Sequence, residues 1–83
     1  MTPRKILAKA LSSPTNVRFA EIQRLVEAFG FRLLRVSASH HIYGRTGLGE
    51  QVNLQEVSGK AKPYQIRQFL KLVERYNLTL EGN

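Results

Sequence analysis

The stretch FRLLRVSASHHIYGRTGLGEQVNLQEV, Phe31 to Val57, decides how this chain folds. FRLLRV is rich in branched and aromatic residues, and HHIYGR follows it after a Ser-Ala-Ser joint. TGLGE turns by its glycines, and QVNLQEV then alternates polar and apolar residues with the period of two that a half-buried strand requires. The pattern predicts three short strands, the last two joined as a hairpin. Two adjacent histidines fall inside the second strand, where neighbouring side chains point to opposite faces. His40 therefore shares a face with Ile42, and His41 with Tyr43. Ile42 and Tyr43 are both credible core residues, so the pattern leaves open which pair faces inward.

Working outward, Thr2-Pro3 offers a capping hydroxyl followed by proline at the first helical position. Ile6, Leu7, Ala10 and Leu11 follow as an apolar stripe, predicting a helix over Pro3–Leu11 that SSPTN ends. Phe19, Ile22, Leu25, Val26 and Phe29 recur at helical spacing, with Gly30 where a left-handed cap belongs. Downstream, SGKAKP leads into a last helix of about Pro63–Tyr76, with Ile66, Phe69, Leu70 and Val73 as its buried stripe. The order α-α-β-β-β-α predicts a two-layer α+β domain. Its three-stranded antiparallel sheet has helices packed on one face and the other face open to a partner. A chain of 83 residues builds one such domain, over 1–83.

Charge is the strongest global signal. Thirteen Lys and Arg stand against six acidic residues, all Glu, for a formal net charge of +7. Such an excess on a small domain favours a polyanionic or acidic partner. There is no cysteine, which excludes disulfides and thiolate ligands and fits a cytoplasmic location. No apolar run approaches the roughly 20 residues that span a bilayer. ILAKAL is too short and interrupted for a signal-peptide core, and no helix combines a basic face with membrane anchors.

The chemistry narrows quickly. Adjacent strand histidines are a poor chelate, with no Cys or Asp to complete a ligand set, so neither metal nor other cofactor is expected. A serine triad fails as well, because there is no Asp and Ser39 diverges from His40. GRTGLG is a hairpin turn and not a phosphate cradle. What remains is a histidine acting as acid or base, with Lys and Arg holding phosphate. RNA supplies its own nucleophile in the 2′-hydroxyl, so one imidazole and a few cations suffice to cleave it. Lys60 and Lys62 flank the entry to the last helix, where anions are favoured. Arg67 and Lys71 extend them into a strip for the nucleic-acid backbone, and Arg45 is a further candidate cation. The spacing of Arg67, Lys71 and Arg75 is equally that of a solvated helix face.

GFRLLRVSASHHIYGR, a strand, and then SGKAKPYQIRQFLKLVERYNL together resemble the HicA (YcfA-like) toxin family. Its members carry a helix ending in Gly-Phe, a strand, a Gly-Ser-His motif opening the next strand, and a Lys-Pro helix. The resemblance runs from about Phe19 to Leu78. It implies a double-stranded-RNA-binding-like fold over a core of 16–78, with 1–15 as an N-terminal helical extension. It also implies a metal-independent endoribonuclease that cleaves mRNA, the toxin of a type II toxin–antitoxin system, held inactive by a HicB-type antitoxin. The family's catalytic histidine falls on His40; Ser39, His41 and Tyr43 are possible supporting residues. Two departures stand out. Ala38 replaces the family glycine, and VNLQEV replaces the family's Pro-Arg-His, so no second catalytic histidine is expected there. The alternatives are a non-catalytic RNA-binding module of the same fold, and an adaptor whose basic face meets an acidic protein.

Overall fold

Ser58 and Gly59 reverse the chain with φ of 53° and 79°, and that turn gives the sheet a fourth strand. In the computed structural model, which describes residues 1–81, the elements are α1 (Pro3–Ser12), a 3-10 turn (Pro14–Asn16), α2 (Phe19–Ala28), β1 (Arg32–Ser37), β2 (His40–Gly44), β3 (Val52–Val57), β4 (Lys60–Ala61) and α3 (Pro63–Arg75). Residues 82–83 of the expected domain lie outside those described. The expectation of a three-stranded sheet is corrected: the order is β1-β2-β3-β4, antiparallel throughout. SGKA is a hairpin arm and not a lead-in to the helix. It pairs Val57 with Lys60 and Glu56 with Ala61 before Pro63 starts α3.

The helices end as their sequences dictate. At the end of α2, Gly30 adopts φ 90°; its N–H reaches the Glu27 carbonyl, and the Phe31 N–H reaches that of Val26. These two bonds make a Schellman cap, with glycine at the position that disfavours a Cβ. Asn77 repeats the device after α3 with φ 52°, while the Leu78 N–H bonds the Val73 carbonyl. Thr2 Oγ1 accepts the Lys5 N–H and caps α1.

Register settles which histidine faces the helices. Tyr43 pairs with Val52 and His41 with Leu54, and directly opposed residues of an antiparallel pair share a face. Val52, Leu54 and Tyr43 are all buried. His41 is therefore on the helix side, and His40 and Ile42 are on the open side. All five apolar residues of the α2 stripe are buried, and Phe29 and Phe31 meet Phe69 edge-to-face at 5.7 and 5.8 Å. Such pairs contribute about 0.5–1.5 kcal/mol each beyond their buried area. On α3, Leu72 joins Ile66 and Phe69 in the core, while Leu70 and Val73 sit half-buried at its margin. On α1, Ile6 and Ala10 reach the same core, but Leu11 is 65% exposed. Residues 1–15 thus pack into the domain rather than trailing from it.

Two links tie these layers together. The first N–H of α2, from Phe19, bonds the Gly59 carbonyl at 2.8 Å, fastening the helix to the β3–β4 turn. Glu21 accepts the Arg18 N–H at 2.9 Å and the Lys9 ammonium at 2.8 Å, joining α2 to α1. No helix among the described residues is long and apolar enough to cross a membrane.

Candidate functional site

On the open face, His40 stands in a row with Ser37 on β1 and Gln55 on β3, its direct partners in the ladder. The next row on the same face holds Arg35, Ile42 and Asn53. Arg35 and Asn53 are thus the diagonal neighbours of His40, one on each flanking strand. Diagonal positions lie roughly 7–8 Å apart, within reach of a long side chain. Asn53 closes that distance: its Oδ1 lies 3.1 Å from His40 Nδ1. With the Asn53 amide oxygen turned to the ring, the neutral imidazole that fits this contact is the one with its proton on Nδ1, whose Nε2 is then an acceptor. His40 is half-buried, and its ring makes no other hydrogen bond among the described residues.

His41 does different work. It meets Phe19 edge-to-face at 4.8 Å, and its Nδ1–H donates to the Ser39 carbonyl at 3.3 Å. That carbonyl also takes the Glu56 N–H, so Ser39 serves the ladder through its backbone. Tyr43 is in the core at 1% exposure, its hydroxyl accepting from Gln23 Nε2 at 3.0 Å. Burial pushes its phenol pKa up. Both side chains are packed away from the face that carries His40.

The cations divide into two groups. Lys62 follows Ala61 just past the β3–β4 register, as the N-cap of α3, with its ammonium 5.9 Å from the centre of the Tyr64 ring. Lys60 pairs with Val57, and Arg67 and Lys71 are exposed along α3. None of the four has an ion-pair partner among the described residues. Arg45 is elsewhere. It lies past the far end of β2, five residues and roughly 16 Å along the strand from His40, and its guanidinium is 3.8 Å from Glu81. Arg75, the third cation of the α3 spacing, is held by Glu50 at 2.6 Å, and Tyr76 donates its hydroxyl to the same carboxylate. The Tyr76 and Arg75 contacts together hold the Glu50 carboxyl below its usual range.

Asn53 and Arg35 are the site residues that the sequence pattern did not offer. Period-two alternation places Asn53 outward, whereas Arg35 reaches the open face through the bulge between Leu33 and Arg35, and only the pairing register brings them beside His40. No group of three or more His, Cys, Asp or Glu side chains among the described residues is arranged to hold a metal ion. No known protein family, curated protein or solved structure matches this chain.

Proposed function

We propose that this protein is a metal-independent endoribonuclease of the HicA type, with His40 as its acid–base group. The observation that carries the reading is the His40–Asn53 contact on an open, cation-flanked sheet face. It holds one ring nitrogen and leaves the other as a base. In the reaction, Nε2 takes the proton of a ribose 2′-hydroxyl. The 2′-oxygen attacks phosphorus, and the bond to the 5′-oxygen breaks. The protonated imidazole then returns the proton to that leaving oxygen, so the products are a 2′,3′-cyclic phosphate and a 5′-hydroxyl. In this reading Arg35, the diagonal neighbour of His40, and Lys62 offset the charge that builds on the phosphoryl oxygens.

The α+β order, the open sheet face and the formal charge of +7 also support the family reading, including its double-stranded-RNA-binding-like fold and its mRNA substrate. A HicB-type antitoxin that silences the enzyme would cover the His40 face, and the cytoplasm is where both partners would meet.

The test is cleavage of a long mRNA by purified protein, with 5′-end mapping, for wild type and His40→Ala. The reading expects discrete cuts with 5′-hydroxyl ends, insensitivity to EDTA, and loss of at least 100-fold in rate in the variant, as general acid–base catalysis typically supplies about 10²–10⁴. Equal cutting by both proteins removes His40 from the mechanism. RNA binding without any cutting leaves the non-catalytic module.

A further inference from the structure

Between β3 and α3 runs a groove of about 330 Å³. It exists because β4 is only two residues long and pairs with Glu56 and Val57 alone. The stretch Val52–Gln55 therefore has no strand on its outer side. Gln65 of α3 covers one end, its Oε1 accepting the Gln55 N–H at 2.7 Å. That bond shows which way β3 faces: Gln55, and by alternation Asn53, direct their backbone N–H and C=O away from β2. The Asn53 groups thus open on the groove with no partner among the described residues.

The lining has a consistent chemistry. Gln65 is 97% buried by its 3% exposure, and its amide orientation is fixed because Oε1 must meet the Gln55 N–H. Its Nε2 remains a donor that no acceptor among the described residues uses. Gln51 and Gln68 add two more amides, Phe69 gives an apolar floor, and Lys71 stands on the rim. Amide donors and acceptors over an apolar floor suit the edge and face of a flat heterocycle. The groove is also closed lengthwise, by β4 at one end and by the Glu50–Arg75 pair at the other. It offers a few residues of strand edge, too little for an added polypeptide strand but enough for one ring. Asn53 belongs both to this groove and to the His40 contact.

We infer that the β3–α3 groove is a nucleobase-binding subsite, which takes a single base of RNA flanking the phosphate presented to His40. Gln65 and Gln68 read the base edge together with the Asn53 backbone, and Lys71 holds the adjoining phosphate. The inference rests on the endoribonuclease reading for the phosphate presented to His40, but the binding of the base itself needs no cleavage.

The experiment is a titration of the ¹⁵N-labelled protein with AMP, GMP, CMP and UMP in turn, followed by amide shifts, for wild type and Gln68→Ala. The substitution is on an exposed helical position, where alanine favours the helix. The expected result is one nucleotide binding about tenfold tighter than the weakest. The Asn53 backbone amide and the Gln65 side-chain amide should move with it, and Gln68→Ala should erase most of the difference. Four nucleotides that bind equally, or that move residues elsewhere while leaving Asn53 and Gln65 still, overturn the subsite. The two readings fail separately. Base discrimination without RNA cleavage sinks the reaction and keeps the groove; His40-dependent cleavage without discrimination does the reverse.

Discussion

Ala38 turns the chain from β1 into β2 with φ of 55°, a conformation in which an L side chain crowds the following carbonyl. The cost for a residue with a Cβ is about 1–2 kcal/mol, partly offset because alanine has less freedom to lose on folding than glycine. Ala38→Gly is therefore expected to stabilise the protein by about 1 kcal/mol, read as a rise in the urea midpoint at constant m-value. A lower midpoint would mean that the methyl makes a contact worth more than its strain. The turn is one residue removed from His40, so the strain lies next to the proposed base. That base also depends on Asn53. Asn53→Ala frees the ring to rotate and to change tautomer, and should lower kcat by about tenfold or more while KM moves little. An unchanged kcat would reduce the 3.1 Å contact to a bystander. Neither feature could be read fully from sequence. The alternation separated the two histidines, but Ile42 and Tyr43 gave it no direction. The Tyr43–Val52 pairing supplied that direction, and only register puts Asn53 beside His40.

Elements whose signals were local were legible. The stripe of α2 and its Gly30 cap lie within the twelve consecutive residues Phe19–Gly30, and the structure has them where the spacing puts them. Strand β4 was not legible as a strand because two residues carry no period. Its trace in the sequence was the Ser58-Gly59 dipeptide after an alternating run, a turn signal in its own right. The docking of α1 on α2 was hidden for another reason: besides the buried Ile6 and Ala10 it uses the pair of Glu21 and Lys9, twelve residues apart. That pair makes the junction pH-dependent. The Lys9 ammonium, and next the Arg18 N–H, hold the Glu21 carboxyl below its usual range. A carboxylate with a lowered folded pKa stabilises the fold above the unfolded value of about 4.3, and the contribution fades as pH falls through the folded value. Glu21→Gln should cost about 0.5–1 kcal/mol at pH 7, given a partly exposed pair, and the gap to wild type should close below about pH 4. A gap that persists in acid would assign the loss to packing instead of charge.

For the whole molecule, the arrangement of charge matters more than its sum. The acidic residues with ion-pair partners sit at the α1–α2 junction, at Arg45 beyond β2, and at the end of α3. Lys60, Lys62, Arg67 and Lys71 are left without ion-pair partners among the described residues, Lys60 in β4 beside the β3 edge, Lys62 at the start of α3, and Arg67 and Lys71 exposed along α3. Four cations outside any ion pair make a quantitative statement about RNA. Each phosphate neutralised on a single strand contributes about −0.7 to the slope of log K against log salt. Four contacts give a slope of about −3, and the Lys60→Ala/Lys62→Ala double variant should halve it to about −1.5. The measurement is fluorescence anisotropy of a labelled single-stranded RNA over a salt series, with His40→Ala in both proteins so that the RNA survives. Arg45→Ala should leave the slope unchanged, because its guanidinium faces Glu81 at the far end of β2. If Arg45→Ala lowers the slope and the lysine pair does not, the RNA crosses the opposite end of the sheet. His40 would then be out of reach of the backbone, and the proposed chemistry would lose its substrate.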